Sequence, residues 1–469
     1  MNDRESELAL FSRDQSLFSG ISPSYHARPR NAGEVREVIR LANREKIPII
    51  PVSSGIQFDG TTLPSQGGII LDLGRMNRII EVDVRNRRAR IEPGVRWGQL
   101  QDHLKNMGMV AMNPLFPHPL QSVITSYLER QPLLIPKFEY AEPILTLEVV
   151  LPSGDLLRTG SAASPGAPDD TVADMVCPYG PGLDFYRLFQ GAQGTLGVVT
   201  WMNIKIEYLS SLRKTYFIQS DHLSDLLSFV HRIQRLMIGN ECFILKRPDM
   251  SAIASGGNQR SIESFQKEIK EWSAVIQIAG TRRRPEERIL YQDQAFHEIS
   301  LEYRMNPRSH LTESGIETKI FEYGLRGPWP EDKAYWKFLA KGGCHDIAFH
   351  TTFENLPKIV GEAEEFLLKM ALDEIAYGLY IQPLEYGRAY YTQFHFFYDP
   401  RDQMQKQKMI QLDQAFNQKL FFSRVLFNTP YGAQSSLMYD HATIYADTLK
   451  KVKKIFDPAE IMNPGRLCF

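Results

Sequence analysis

The stretch IPIIPVSSGIQFDGTTLPSQGGIILD, residues 47–72, decides the fold of this chain. It contains a short apolar strand at 47–52, a loop of small residues at 53–55, and a second apolar strand at 68–73. Small side chains at a strand exit leave backbone N–H groups free to converge on an anion, and glycine accepts unusual backbone angles. The loop is therefore a candidate phosphate site. A plain β-turn between two buried strands is the alternative interpretation.

The segments on either side of this loop carry a family resemblance. An amphipathic helix is predicted at 28–46, the motif run LDLGRMNRIIEVDVRNRRARIEPGV occupies 71–95, and a further helix is predicted at 97–107. This order resembles the FAD-binding domain of the vanillyl-alcohol oxidase/p-cresol methylhydroxylase (PCMH) family, and the resemblance runs to the C-terminus. It implies an α+β fold with a two-subdomain PCMH-type FAD-binding domain and an antiparallel-sheet, helix-covered substrate (cap) domain. The expected boundaries are 1–209 for the FAD-binding domain, 210–425 for the cap, and 426–469 for a segment that returns to the first domain.

Composition excludes several other classes of protein. The 469 residues include 54 Lys plus Arg and 55 Asp plus Glu, so no overall charge selects nucleic acid. The four cysteines form no CxxC or CxxCH motif, which argues against a zinc site or an attached haem and predicts free thiols. No metal site is expected. The polar N-terminus and the absence of about 18 consecutive apolar residues predict a soluble, cytoplasmic protein.

Beyond residue 210 the pattern alternates between helices and strands. Helices are predicted at 221–237 and 262–272 and strands at 241–246 and 274–280, followed by a polar, irregular stretch at 282–332. A second unit of the same texture follows, with strands and helices at 347–351, 356–370, 375–382, 390–398 and 403–418. Two such units predict an antiparallel sheet covered by helices.

The glycine run GAQGTLG, residues 191–197, is the second candidate contact with a dinucleotide. Gly191, Gly194 and Gly197 recur at three-residue spacing, which lets a backbone pass close to a flat or phosphorylated ligand. A glycine-rich turn at a helix end is the alternative. In contrast, HPLQSVITSYLER at 118–130 lacks the glycines that the family carries there, although Ser122 and Ser126 retain hydroxyl donors. A weakened cofactor site is therefore a second hypothesis.

The resemblance also assigns residues to the flavin. The family's catalytic acid falls on Glu139, with Tyr140 beside it, and a solvated loop glutamate is the alternative. KGGCHDIAF at 341–349 resembles the segment whose histidine is bonded to the flavin, so His345 is the candidate for a covalent link, or else is simply hydrogen-bonded. The implied cofactor-binding residues are Pro51, Ser53, Ser54, Gly55, Ile56, Gln57, Ser122, Ser126, Gly191, Gly194, Gly197, Val199, His345 and Arg466.

His395 is the remaining catalytic candidate. It alternates with aromatic residues in YYTQFHFFYDP, so it either points into a substrate cavity or is a satisfied core histidine. The tyrosine–arginine pair with which phenol-oxidising members hold a phenolate falls on Gly432-Ala433, which argues against a phenolate substrate.

These patterns predict an FAD-dependent oxidoreductase that removes hydride from a small aromatic or hydroxylated substrate. Its electrons would pass to oxygen or to a partner such as a cytochrome or an electron-transfer flavoprotein, in a homo- or hetero-oligomer. The alternative is a flavin-free family member that serves as a structural or regulatory subunit. The related D-2-hydroxyacid dehydrogenases are a weaker alternative, because their histidine-rich cap motif is absent from this sequence.

Overall fold

The computed structural model of the chain describes residues 5–134, 142–164, 177–280, 283–313, 315, 318–370 and 376–469. Its described helices flank three sheets. In chain order these helices, α1 to α14, are Glu5–Leu8, Ala32–Glu45, Trp97–Lys105, Val123–Leu128, Tyr186–Phe189, Leu223–Arg235, Arg247–Ala254, Gln259–Glu268, Pro285–Glu302, Thr318–Gly324, Leu356–Lys369, Gln403–Phe422, Ala433–His441 and Thr443–Phe456. Among the residues described, no helix is both long and apolar enough to cross a lipid bilayer.

The first sheet is parallel and contains the two strands predicted around the small-residue loop. Strands β1 (Tyr25–Ala27), β2 (Ile49–Val52) and β3 (Ile69–Asp72) lie in the order β1-β3-β2. Helix α2 packs on them because its buried residues recur at helical spacing, and the Asn31 side chain caps its first turn by accepting from the Glu34 amide. The sheet therefore fixes the strand exit at residue 53.

The second sheet is antiparallel and contains the strand that follows the glycine run. Its strands lie in the order β4-β5-β9-β7-β8, and β6 also pairs with β9. Their bounds are Ile79–Asp83 (β4), Arg88–Ile91 (β5), Met109–Ala111 (β6), Ile144–Val150 (β7), Leu156–Arg158 (β8) and Val198–Tyr208 (β9). The central strand β9 begins directly after the glycine run, and its N-terminal end places that run beside β2.

The third sheet is the predicted antiparallel cap sheet, and this prediction is confirmed. Six strands lie in the order β10-β12-β11-β14-β15-β13. Helices cover one face with a large apolar core, which includes Phe229, Phe394 and Phe416. The strands are Leu212–Ser220 (β10), Glu241–Lys246 (β11), Trp272–Gly280 (β12), Gly343–Thr351 (β13), Tyr377–Leu384 (β14) and Ala389–Tyr398 (β15).

The C-terminal segment lies against the first sheet. The Ile49 amide donates to the Ile461 carbonyl at 2.7 Å, and the Asn463 amide donates to the Ile49 carbonyl at 2.8 Å. Residues 461–463 therefore extend the edge of β2, next to the small-residue loop.

Two predictions of local structure were wrong. The stretch 282–332 is not irregular, since it contains helices α9 and α10. The helix predicted at 262–272 covers Gln259–Glu268 instead, and Trp272 already begins strand β12. The aromatic ring of Trp272 packs in the cap core. Its burial in a strand therefore outweighs the helical periodicity of the charged residues that precede it.

Candidate functional site

A cavity of about 90 Å³ opens where β2 ends, and we call it the strand-exit cavity. The strand-exit loop, the glycine run and the C-terminal segment meet there. Six of the predicted cofactor-binding residues line it, namely Pro51, Ser53, Gln57, Gly194, Gly197 and Val199. Leu120 and Gln121, which replace family glycines in the second loop, do not line it. The cavity is thus open at the place where the sequence predicts a phosphate.

The strand-exit loop presents unused donors beside this cavity. Within the described residues, no protein acceptor takes the backbone N–H groups of residues 54–57. Gly55 has a φ of +74°, and a Cβ atom built there would have no neighbour within 4 Å. Successive free amides around a glycine of positive φ form an anion-binding concavity.

Asn463 contributes an unused acceptor to the same cavity. Its side-chain Nδ2 donates to the Thr61 carbonyl at 3.0 Å and to the Gln193 carbonyl at 2.6 Å. Its Oδ1 is buried and has no partner among the described residues. A buried acceptor without a partner costs free energy unless a ligand donates to it. Sequence analysis singled out the neighbouring Arg466 instead.

Several other predicted cofactor-binding residues are engaged by the protein itself. The Ser54 hydroxyl accepts from the Ser122 amide at 3.0 Å, and the Ser122 hydroxyl donates to the Pro93 carbonyl at 2.7 Å. The Ser126 hydroxyl accepts from the Trp97 indole at 2.9 Å. These bonds fix helix α4 against the strand-exit loop.

Three further residues on the predicted cofactor list lie beside the strand-exit cavity without lining it. The Gly191 amide donates to the Leu128 carbonyl at 2.7 Å, and Ile56 is half-buried in the loop. Arg466 donates from Nε to the Thr61 carbonyl at 3.2 Å and from Nη2 to the Leu63 carbonyl. For Arg466, Ser122 and Ser126, a role at the flavin remains a prediction.

A second cavity, of about 130 Å³, lies against the face of the cap sheet that is turned toward the first two sheets. We call it the sheet-face cavity. Strands β13 and β15 pair Asp346 with His395 and His350 with Tyr391, so these four side chains share that face. Burial lowers the pKa of His350 to about 4, which keeps its ring neutral near pH 7.

His395 is held in this cavity by a carboxylate. Its Nδ1 lies 2.8 Å from Oδ2 of Asp249, which is in the first turn of α7 and fully buried. Gly378 lies opposite His395 on β14, and a Cβ there would approach Asp249 Oδ1 to 1.9 Å, so glycine is required. A carboxylate accepts hydrogen bonds and does not donate them. Nδ1 therefore carries the proton and Nε2 presents a lone pair.

The Nε2 atom of His395 has no hydrogen-bond partner among the described residues, although the side chain is only 1% exposed. Its nearest charged neighbour is Asp346 Oδ1, at 3.9 Å. The Asp346 carboxylate is instead bound by Lys337 and accepts from the Cys344 thiol at 3.2 Å. Burial opposes ionisation of Asp346, but the positive charge of Lys337 holds its pKa below the usual value. His395 is thus held by a carboxylate at Nδ1 and has an Nε2 atom without a partner among the described residues, and its catalytic role stays a prediction.

Glu129 joins the two cavities, because it lines both. The Tyr431 hydroxyl donates to Glu129 Oε2 at 2.6 Å. Burial raises the pKa of Glu129 to about 6, while the Tyr431 hydrogen bond and the Arg130 charge act in the opposite direction. A ligand that reaches from the strand-exit cavity toward His395 passes this carboxyl group.

His345 lies at the border of the sheet-face cavity but on the opposite face of β13 from Asp346. Its Nε2 is 3.0 Å from Asp413 Oδ1, and Asn417 Nδ2 donates to the same oxygen at 2.8 Å. A covalent bond to a cofactor at His345 stays a prediction. Glu139 and Tyr140, the other two catalytic candidates, lie outside the described residues.

Comparison with known proteins links this geometry to a family. Residues 23–160 match the family model described as FAD binding domain. An uncharacterized FAD-linked oxidoreductase of Mycobacterium tuberculosis strain H37Rv is 22% identical over 448 residues, which cover 94% of this chain and 90% of the relative. The 4-cresol dehydrogenase flavoprotein subunit of Pseudomonas putida is 29% identical over 222 residues, which cover 47% of this chain and 42% of that protein.

Solved structures show the same fold. The structure of p-cresol methylhydroxylase with substrate bound superposes with a TM-score of 0.85 at 17% identity, covering 100% of this chain and 93% of that chain. The 4-ethylphenol oxidase from Gulosibacter chungangensis has a TM-score of 0.83 at 18% identity, covering 99% of this chain and 93% of its own. The chain thus contains an FAD-binding domain and has the fold of p-cresol methylhydroxylase and 4-ethylphenol oxidase. Its cofactor is FAD.

The residues of the strand-exit cavity fit FAD. The free amides of residues 54–57 supply the donors that a diphosphate needs, and Asn463 Oδ1 supplies an acceptor for an N–H or O–H group. Gly194 leaves room that a side chain would fill, since a Cβ there would lie 3.0 Å from Pro51 Cγ and 3.6 Å from Asn463 Nδ2, which both line the cavity. In an FAD-binding domain these are groups that would hold the cofactor.

Gly194→Val is expected to lower the affinity for FAD at least tenfold. Gly194 has a φ of +72°, and a Cβ there would come within 3.0 Å of Pro51 Cγ, so valine methyl groups would fill the cavity. Gly108 has a φ of +68° in an exposed turn with open space around it. Gly108→Val therefore introduces the same backbone strain as Gly194→Val but no side-chain contact with the cavity. Titration of both apoproteins with FAD measures the difference. Equal losses in the two variants would contradict the assigned cavity.

Sequence analysis missed several residues of the site. Glu129 lies in the stretch 118–130 but was not singled out, and Asn463 lies three residues before Arg466, which was. Their proximity in the sequence to residues already assigned to the flavin could have identified them. Asp249 carries no local signal, because 146 residues separate it from His395. Lys337, Asp346 and Tyr431 likewise meet only through the tertiary fold.

Proposed function

We propose that this PCMH-type flavoprotein oxidises a small aromatic or hydroxylated organic compound by removing hydride from a carbon that carries a hydroxyl group. The observation that carries the proposal is the Asp249–His395 pair. A buried histidine with a free Nε2, fixed by a buried carboxylate, faces a cavity that meets the strand-exit cavity at Glu129. Perturbed or unpaired polar groups of this kind gather at active sites.

The chemistry divides between the cofactor and the chain. When bound, FAD supplies the acceptor for a hydride. His395 Nε2 takes the proton of the substrate hydroxyl group, so the O–H bond breaks as the C–H bond breaks and a C=O bond forms. The alcohol is thereby oxidised by two electrons. Asp249 stabilises the imidazolium that results, because its carboxylate lies 2.8 Å from Nδ1.

The walls of the sheet-face cavity favour a flat substrate. Aromatic side chains line it on several sides, and the Trp336 ring packs edge-on against His395 with centroids 5.3 Å apart. These rings exclude water from the reacting atoms, which strengthens every electrostatic interaction there. The remaining aromatic lining residues are Phe18, Phe58, Tyr335, Tyr380, Tyr391 and Tyr431.

The electron acceptor is part of the proposal. One relative is the flavoprotein subunit of a 4-cresol dehydrogenase, and another is a D-lactate dehydrogenase [cytochrome] of Arabidopsis thaliana, 30% identical over 38% of this chain and 29% of that protein. We propose that electrons leave to a cytochrome, to an electron-transfer flavoprotein or to oxygen. A cytoplasmic location and a homo- or hetero-oligomeric assembly stay predictions.

An anaerobic screen tests the function. Purified holoprotein is mixed with alcohols, hydroxy acids and alkylphenols, and loss of the visible flavin absorbance is recorded. We expect bleaching by members of the alcohol class and none by alkylphenols. The arginine that would pair with a phenolate is not present at 432–433. Holoprotein that no compound bleaches would overturn the proposal. Protein that binds no FAD would instead favour the flavin-free subunit.

A further inference from the structure

Asp59 is a carboxylate in the sheet-face cavity that the reaction described above does not use. It follows the strand-exit loop, is half-buried and lines the cavity. Within the described residues it has no hydrogen bond and no ion pair. Burial raises the pKa of Asp59 to about 8, and the carboxylates of Asp346, Glu129 and Asp14 raise it further than Lys337 lowers it. The site therefore resists an additional negative charge.

No lysine, arginine or histidine among the described residues forms an ion pair with Asp59. The positive charge of Lys337 lowers the pKa of Asp59, but that ammonium group is bound to Asp346. Arg130 lies at the border of the cavity but is exposed, and its guanidinium donates to the Gln190 carbonyl at 3.2 Å. Both positive groups are thus committed elsewhere.

The rings beside Asp59 suit a positive group. Phe58 stacks on Tyr335 with centroids 5.9 Å apart and lies 6.1 Å from Phe338. The faces of aromatic rings attract cations, most strongly where water is excluded. Carboxylate and ring faces together are the chemistry that recognises ammonium groups.

An independent observation points to a ligand in this cavity. His395 is 1% exposed and its Nε2 has no partner among the described residues, although it faces the cavity. A ligand that donates a hydroxyl proton to Nε2 satisfies that atom. The remainder of such a ligand extends along a wall that Asp59 and Phe58 border.

We propose that the substrate carries an ammonium group, and that Asp59 is the counter-charge that selects it. This inference rests on the proposed function, because it places the reacting hydroxyl group at His395. The substrate class is therefore an amino alcohol in which an aromatic or other flat body separates the two groups. Neutral alcohols fit the same cavity without an ion pair, and anionic ones meet the repulsion of the surrounding carboxylates.

The affinity for an ammonium compound depends on pH with a definite sign. In the free protein Asp59 carries a proton below about pH 8, and that proton must leave before the ion pair forms. The dissociation constant is expected to fall by up to tenfold per unit as pH rises toward 8, and then to level. The titratable groups that act on Asp59 are Asp14, Glu129, Lys337, Asp346, Tyr391 and Tyr431.

The test compares two compounds of similar shape on the holoprotein, 4-(aminomethyl)benzyl alcohol and 4-ethylbenzyl alcohol. Binding is followed by the change in the flavin spectrum under anaerobic conditions. We expect the ammonium compound to bind at least about tenfold more tightly, as for hydrogen bonds to charged groups. Asp59→Asn is expected to bring the ratio of the two dissociation constants close to one. Asp332→Asn, which removes an exposed carboxylate outside the cavity, is expected to keep the wild-type ratio.

The outcomes separate this inference from the proposed function. A wild-type ratio near one, or a ratio that Asp59→Asn leaves unchanged, would overturn the ammonium assignment even if both alcohols bleach the flavin. A high ratio that depends on Asp59 supports the assignment even if neither compound is oxidised. Bleaching itself is scored separately, since it reports on hydride removal and not on charge selection.

Discussion

His395→Asn is expected to slow substrate-dependent bleaching of the flavin by about 10²- to 10⁴-fold, the usual contribution of a positioned general base. The asparagine side-chain amide can still donate to Asp249, but it offers no basic nitrogen at the position of Nε2. Anaerobic stopped-flow absorbance measures the rate. FAD content should be unchanged, because the groups assigned to the diphosphate line a different cavity.

Two companion variants identify the base. Asp249→Asn lets the amide donate to Nδ1, which forces the proton of His395 onto Nε2, so it is also expected to slow bleaching. Glu139→Gln tests the residue to which the family resemblance assigns the same role. A normal rate in His395→Asn combined with a slow rate in Glu139→Gln would show that His395 is not the base.

Lys453→Met is expected to reduce the free energy of unfolding by about 3–5 kcal/mol, because it leaves a buried charge unpaired. Lys453 is 4% exposed, and its Nζ donates to Asp457 Oδ2 at 2.7 Å, to the Thr195 carbonyl at 2.7 Å and to the Met462 carbonyl at 2.9 Å. The ammonium group thus ties helix α14 to the glycine run and to the C-terminal segment. Urea unfolding followed by fluorescence measures the loss.

The matched control for this variant is the next lysine along the same helix. Lys454 is exposed, so Lys454→Met is expected to change stability by no more than about 0.5 kcal/mol. FAD should also dissociate more readily from Lys453→Met, since Thr195 and Met462 flank residues of the strand-exit cavity. Similar urea midpoints for the two variants would contradict the structural role assigned to Lys453.

Much of the nucleotide-binding half follows from the sequence. Apolar strands, a loop of small residues and glycines at three-residue spacing are local features, and the structure brings Ser53, Gly194 and Gly197 together in one cavity. The bounds of β9 and β11 were also predictable, because apolar and β-branched residues dominate both strands.

The remainder depends on tertiary contacts. Helix α9 buries only four of its 18 residues, so its sequence lacks the apolar periodicity that predicts a helix. Pro285 and the acidic residues at 286 and 287 are nevertheless a helix-start signal. The pairing of His395 with Asp249 needs Gly378 on a third element to leave room for the carboxylate. No pattern within one segment indicates such an arrangement.

The central claim is that backbone amides at the end of β2 and the adjoining glycine run bind the diphosphate of FAD. The most direct measurement is the visible spectrum of the purified protein, with quantification of the flavin released on denaturation. The account predicts flavin absorbance and up to one FAD per chain, rising to one after reconstitution. Protein that carries no FAD, and that takes up none when it is supplied, would contradict it.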